Sequence, residues 1–204
     1  MQNKGAITMS YSFFAMFSRM KYIDRWALMR NTRKENLSEH TLEVAAIAHA
    51  LAVISNEKYG ASLNAERAAL LGIYHDMPEI ITGDMPTPIK YGNPQLKQAY
   101  KAVERETAAQ LVSMLPEYMQ DSYKGFFVKD DADSELWKLV KAADKISAYI
   151  KCIEEEKAGN TEFNSAKKAT FALISQLDIP AAQTFIDEFI TAYNLDLDEL
   201  QQKN

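Results

Sequence analysis

Cysteine occurs once in the 204 residues, at Cys152, so neither an intramolecular disulfide framework nor a cysteine-rich zinc site can be built. That usage favours a reducing compartment, and a cytoplasmic protein is expected. Glycine (7) and proline (6) are scarce, about 3% each against usual frequencies of roughly 7% and 5%. Few turns and many uninterrupted helical windows follow, which argues against an all-β or collagenous chain. Positive charge is short as well: 23 Lys and Arg against 28 Asp and Glu leave a net charge of -5. There is no general basic surface for a nucleic acid polymer or anionic lipid. An anionic ligand must therefore be held by a local cluster of cations or by a metal. No run reaches the ~18 apolar residues that suggest a bilayer span; the uncharged stretch Val44 to Asn56 is too short and contains His49. Gly5 to Ser18 is also uncharged, but Thr8, Ser10, Ser12 and Ser18 interrupt it and no small-x-small cleavage site follows. It reads as part of a mature protein, with Phe13, Phe14, Phe17 and Met20 spaced to coat one side of a helix.

What is present is an ordinary globular composition, 47% hydrophobic and 25% charged. At ~150 residues per domain, the length predicts a single domain over 1–204. Helix signals recur along the chain with no repeat or linker between them. Asn36 can cap a helix with Glu39 completing a box, and Leu37, Val44, Ile47, Leu51 and Ile54 mark its buried stripe. Asn64 can cap a third helix, carrying Ala68, Leu71 and His75 and interrupted at Met77-Pro78. Thr82 to Pro88 is the one strongly non-helical loop. Pro94 suits the first position of a long helix running to about Leu115, and Asp131 to Ser134 offers caps for another ending near Gly159. Two amphipathic helices, about Ser165–Gln176 and Pro180–Tyr193, complete an all-α prediction.

Histidine is rare, with three in the chain, which makes their positions informative. His40 lies on the apolar stripe of its helix, three residues after Leu37 and four before Val44, and His75 is followed directly by Asp76. Asp144 sits four residues after Val140 and four before Ala148, in the middle of a buried helical face. A carboxylate there costs several kcal/mol unless an arginine, a lysine or a metal ion compensates it. His40, His75, Asp76 and Asp144 together make a mixed nitrogen and oxygen shell for one first-row divalent ion. Glu79, one helical turn after Asp76, can approach the same place as a proton carrier. Each part has a plainer reading: a satisfied core histidine for His40, an ion pair for Asp144. His49, flanked by Ala45, Ala46, Ala52 and Val53, is expected to be a structural core histidine, and Cys152 a core filler. Glu154-Glu155-Glu156 reads as an exposed helix end and Asp196 to Glu199 as a capped, solvated terminus. For Arg30, Arg33 and Lys34 two readings stay open, local positive potential at the site and a solvated face.

The residue pattern resembles the HD-domain phosphohydrolases, which place a histidine on one helix, a His-Asp pair on another and a distant aspartate on a third. Within that superfamily it is similar to the bacterial 5'-deoxynucleotidases from about Tyr11 to about Leu200. The matching strings are Arg25-Trp26 with Leu28-Met29-Arg30, Glu35-Asn36 with Ser38-Glu39-His40, Tyr74-His75-Asp76 with Glu79, Gly83-Asp84 with Pro86-Thr87-Pro88, and Lys141-Ala142-Ala143-Asp144. The resemblance implies a single all-α HD-domain bundle with the metal site between helices, a homodimer that removes phosphate from deoxyribonucleoside 5'-monophosphates with cobalt or manganese. It implies that His40, His75, Asp76 and Asp144 hold the metal and that Glu79 is the catalytic acid or base. It further implies that Arg25 orients the phosphate, that Trp26 faces the sugar and that Asp84 and Thr87 contact the substrate, with Asp76, next to the nucleophile, expected to help orient it. Two departures stand out, Pro78 between Asp76 and Glu79, and an N-terminal extension of about ten residues. The plainer readings of Trp26 and Arg25 are a buried aromatic anchor and an ion pair with Asp24 or a distant acid. Two alternatives to the activity are carried: another HD phosphohydrolase acting on nucleoside triphosphates or cyclic nucleotides, and a non-catalytic helical binding module clipped by a metal.

Overall fold

The computed structural model describes residues 10–86, 92–128 and 130–202. Among them there is no β-strand, and the helices run as α1 (Phe13–Phe17), α2 (Leu37–Tyr59), α3 (Ala65–Tyr74), α4 (Glu79–Thr82) and α5 (Pro94–Ser113), then α6 (Glu117–Lys124), α7 (Ser134–Lys157), α8 (Asn164–Ser175), α9 (Pro180–Phe189) and α10 (Leu197–Gln201). The starts are chemical. Asn36 and Glu39 close a reciprocal capping box on α2, the Asn64 side chain accepts the Arg67 N–H on α3, and Asn93 caps α5 with Pro94 in its first turn. Two predicted boundaries shift: α9 stops at Phe189 and continues as a 3-10 turn over Ile190–Asn194, and α7 is preceded by a 3-10 turn at Asp131–Asp133. Helix α6 was not anticipated. It spans only eight residues, of which Met119 and Tyr123 pack partly buried against the smaller apolar cluster, too short a pattern to stand out in the sequence.

Helix α2 is the centre of the bundle, packed against α3, α7 and α9, with α8 on the far side of α7. Its length and mean hydropathy of 1.3 would suit a membrane span, yet its stripe of Leu37, Val44, Ile47, Ala48 and Leu51 is buried within the protein. The expected core position of His49 is not observed. His49 is exposed on the outward stripe of α2 with Leu42, Ala46 and Val53. That stripe is itself apolar, so composition alone could not tell its two faces apart. The N-terminal aromatic segment is also only partly as expected: Phe13 and Met20 are fully buried, Phe17 half-buried and Phe14 exposed. Phe14 directly follows the buried Phe13 within α1, and adjacent helical residues stand about 100° apart, so the two do not share the buried face.

Two apolar clusters make the core. The larger joins α2, α3, α7 and α9; the smaller gathers Phe13, Met20, Leu37, Met77, Ile80, Leu111 and Leu115, tying the N-terminal segment to α4 and α5. Met77 and Ile80 belong to the smaller cluster and flank Glu79, so packing holds that glutamate in place.

Candidate active site

The four residues singled out by periodicity and by the His75-Asp76 dipeptide converge. One ligand atom from each of His40 (α2), His75 and Asp76 (the turn after α3) and Asp144 (α7) lies within 4.8 Å of all the others. His40 Nε2 is 3.3 Å from Asp144 Oδ1 and 3.5 Å from Asp76 Oδ2, and His75 Nε2 is 3.0 Å from Asp76 Oδ2. Neither Nε2 has a hydrogen bond of acceptable geometry, although both are buried. His40 is therefore not a satisfied core histidine, and the group that approaches the Asp144 carboxylate within ion-pair distance is the His40 imidazole, with Arg25 acting on it from farther away.

The outer nitrogens explain why. His75 Nδ1 is 2.7 Å from the Gly72 carbonyl, which can only accept, so that nitrogen carries the proton. The Ser147 hydroxyl donates to Glu43 Oε2 at 2.5 Å, so its oxygen accepts from His40 Nδ1 at 3.0 Å. In the neutral rings both Nε2 lone pairs then face the two carboxylates, the donor set of a mixed His/Asp metal site. Without an ion, burial works against a charged His75, yet the adjacent Asp76 carboxylate raises it to about 9. Burial likewise opposes the Asp144 charge, but His40 holds that carboxyl down at about 2. Neither Ser147 nor Glu43 was anticipated; both are one helical turn from a ligand, Ser147 three after Asp144 and Glu43 three after His40.

Glu79 is buried, opens α4 and shares a cleft of about 930 Å³ with His75, Asp76 and Asp144. Pro78 does not divert it. The proline occupies the N-cap of α4 with φ -58°, and the Glu79 N–H reaches the Asp76 carbonyl at 2.9 Å. The same cleft is also lined by Lys97, Lys101 and Arg105, a row at four-residue spacing on α5 that carried no mark in the sequence.

Arg25 and Trp26 meet at Glu35. Arg25 Nη1 and Trp26 Nε1 donate to the same Glu35 Oε2, at 2.6 and 3.1 Å. Arg25 thus pairs not with Asp24 but with an acid ten residues away, so the plainer ion-pair reading holds for it, though the pair is largely buried; Arg25 is 9% exposed, and although burial opposes its charge, Glu35, Asp144, Asp84 and Asp76 keep the guanidinium protonated. Trp26 adopts φ +58°, packs on Phe163 at 5.3 Å between ring centroids, and donates its backbone N–H to Asp84 Oδ2 at 3.3 Å. Asp84 follows Gly83, whose φ of +72° and ψ of 164° suit only glycine. Thr87 lies outside the described residues.

The loop bearing Arg25 and Trp26 is clamped by a residue expected to be solvated. Glu155 is 1% exposed, bonds Lys151 at 2.5 Å, and accepts from the Thr32 amide, the Thr32 hydroxyl and Asn160. Only tertiary contacts distinguish it from Glu154 and Glu156. Arg30, Arg33 and Lys34 resolve to a solvated face, paired with Glu162, Glu39 and Asp24.

Residues 12–193 match the family model described as 5'-deoxynucleotidase YfbR-like. The chain is 45% identical over 189 residues to a 5'-deoxynucleotidase of Shewanella oneidensis, covering 93% of this chain and 97% of that one. It is 48% identical over 190 residues to 5'-deoxynucleotidase YfbR of Escherichia coli O1:K1, covering 93% and 96%. An HD-domain phosphohydrolase from Listeria innocua has the same fold, with a TM-score of 0.78 at 21% identity over 91% of this chain and 90% of that one. So does a cyanophage S-2L HD phosphohydrolase solved with dA and one catalytic Zn2+ ion, with a TM-score of 0.63 at 20% identity over 91% and 98%. With a family model spanning nearly the whole helical bundle and relatives near half identity, the chain belongs to the YfbR-like 5'-deoxynucleotidase family.

Proposed function

We propose that this protein hydrolyses deoxyribonucleoside 5'-monophosphates to deoxyribonucleosides and inorganic phosphate, using one divalent metal ion. The observation that carries the reading is the cluster of two inward imidazole nitrogens and two carboxylates, in a chain 45–48% identical to named 5'-deoxynucleotidases. His40, His75, Asp76 and Asp144 would hold the ion. When bound, it supplies Lewis acidity, acidifying water and offsetting phosphoryl charge; cobalt or manganese suits the mixed donors, as other first-row ions do.

The remaining work falls to the chain. Arg25 gives one donor to Glu35 and keeps others for two phosphoryl oxygens. Asp76 orients the attacking water. As the new bond to phosphorus forms and the bond to the 5'-oxygen breaks, Glu79 gives its proton to the departing oxygen. The Trp26 ring closes against C2', where an apolar wall rejects an added hydroxyl by about 10²-fold. Asp84 takes the 3'-hydroxyl with the carboxylate oxygen not engaged by Trp26, and Thr87 completes the loop's contact with substrate. The protein is proposed to act as a single-domain, cytoplasmic homodimer; its lone, buried Cys152 fits a reducing compartment and the family resemblance carries the dimer.

One observation favours a second reading, hydrolysis of nucleoside triphosphates: the row of Lys97, Lys101 and Arg105 that lines the same cleft as the cluster. The deciding experiment measures phosphate released from dAMP, AMP and dATP by metal-stripped protein with each ion restored, beside Glu79→Ala. Metal-dependent turnover of dAMP above AMP and dATP, lost in the variant, supports the first reading; turnover of dATP alone replaces it with the second.

A further inference from the structure

The geometry points to Glu35 as a positioning residue that ties phosphate orientation to sugar selectivity, an inference that rests on the activity proposed above. One carboxylate oxygen serves both neighbours, 2.6 Å from Arg25 Nη1 and 3.1 Å from Trp26 Nε1. Consecutive side chains in extended backbone point to opposite faces, so two of them reach one acceptor only if the backbone turns between them. It does so at Trp26, whose φ of +58° is the one positive value among described non-glycine residues. Such a conformation persists where its surroundings over-determine it. Here Glu35 holds the indole and Asp84 Oδ2 the backbone N–H of the same residue.

Glu35 is itself fixed to the metal-bearing helix. Its carbonyl accepts the Arg25 N–H at 2.9 Å, Asp24 pairs with Asn36 in an isolated antiparallel bridge, and Asn36 caps α2, on which His40 stands four residues later. The Arg25 and Glu35 side chains are 10% and 13% exposed, so solvent screens the pair little. A single acceptor therefore sets where the guanidinium and the indole stand relative to the cluster. Either donor alone could be placed by local packing; the shared oxygen makes the two placements depend on each other.

Glutamine in place of Glu35 keeps an acceptor oxygen and removes the charge; alanine removes both. The test measures kcat and KM for dAMP and AMP in wild type, Glu35→Gln, Glu35→Ala, Trp26→Phe and the double variant Glu35→Ala with Trp26→Phe. Trp26→Phe keeps an aromatic ring against Phe163 and deletes the N–H together with the pyrrole half of the indole. The dAMP to AMP ratio of kcat/KM should fall about tenfold in Glu35→Ala and in Trp26→Phe, fall no further in the double variant, and survive in Glu35→Gln, where KM rises instead. In a Trp137→Phe background, which leaves Trp26 as the sole tryptophan, Glu35→Ala should also shift the fluorescence emission maximum, a readout independent of turnover. A general structural defect would lower both substrates alike and leave the ratio unchanged. A wild-type preference for dAMP that persists in Glu35→Ala overturns this inference alone; a wild type with no preference overturns it together with the proposed activity.

Discussion

Gly72 of α3 lies so close to α2 that a Cβ on it would stand 2.8 Å from Ala45 Cα and 3.0 Å from Ala45 N. This contact lets the two helices approach and brings the His40 and His75 rings to 5.4 Å between centroids. Backbone atoms cannot yield as a flexible side chain can. Gly72→Ala should therefore push α3 away, costing about 1–3 kcal/mol by overpacking. A lower melting temperature and less metal retained after dialysis are expected; an unchanged melting temperature would show that the interface yields freely.

Removing the Ser147 hydroxyl leaves His40 Nδ1 without its partner and Glu43 without its donor. Second partners of this kind fix ring orientation, and their loss weakens metal binding by about 10- to 100-fold. Titration of Ser147→Ala against a chromophoric chelator measures the change. Wild-type affinity would mean that packing alone orients the imidazole.

Glu79→Gln keeps the shape of a buried side chain and removes its proton. Turnover of dAMP should fall by about 10²- to 10⁴-fold, the usual worth of a general acid. Metal affinity and melting temperature should stay close to wild type, because Glu79 is outside the donor cluster. Parallel loss of metal would instead make the glutamate part of the binding shell.

Lys151 and Glu155 form a buried ion pair, 5% and 1% exposed at their side chains. Deleting one partner strands the other, so Lys151→Met should cost about 3–5 kcal/mol. Burial opposes the Glu155 charge, but Lys151, Thr32 and Asn160 bring its carboxyl down to about 2 from an ordinary 4.5. A lowered folded-state pKa stabilises the protein above the unfolded value and is lost as pH falls through the folded one. Wild type should thus lose this contribution between pH 4.5 and about 2, and Lys151→Met should lose stability already at neutral pH. Denaturation curves from pH 7 to 2.5 would show it; superimposable profiles would remove the pair from the account.

Much of the site was legible because helices translate spacing into direction. His40 and Asp144 sit among apolar residues at helical intervals, and polar groups in such places need partners that a stripe of leucine and valine does not offer. The His75-Asp76 dipeptide acquired meaning from them. Glu35 and Glu155 carried no such mark. Each is one acid among 28, and its importance arises from donors that are adjacent only after folding: Arg25 and Trp26 for the first, Lys151, Thr32 and Asn160 for the second. His49 erred in the opposite direction, since alanine and valine neighbours say that a stripe is apolar without saying which way it faces.

The sequence alone therefore determined the long helices, their N-terminal caps and the identity of the four clustering residues, because capping and periodicity are local and act over one or two turns. Tertiary structure decided which face of α2 is buried, which carboxylates are clamps rather than solvated charge, and how Arg25 and Trp26 come to share one oxygen. Those outcomes depend on how closely elements distant in the chain approach, at Gly72 against Ala45 and at the Asp24–Asn36 bridge, and no spacing within a single helix contains that distance.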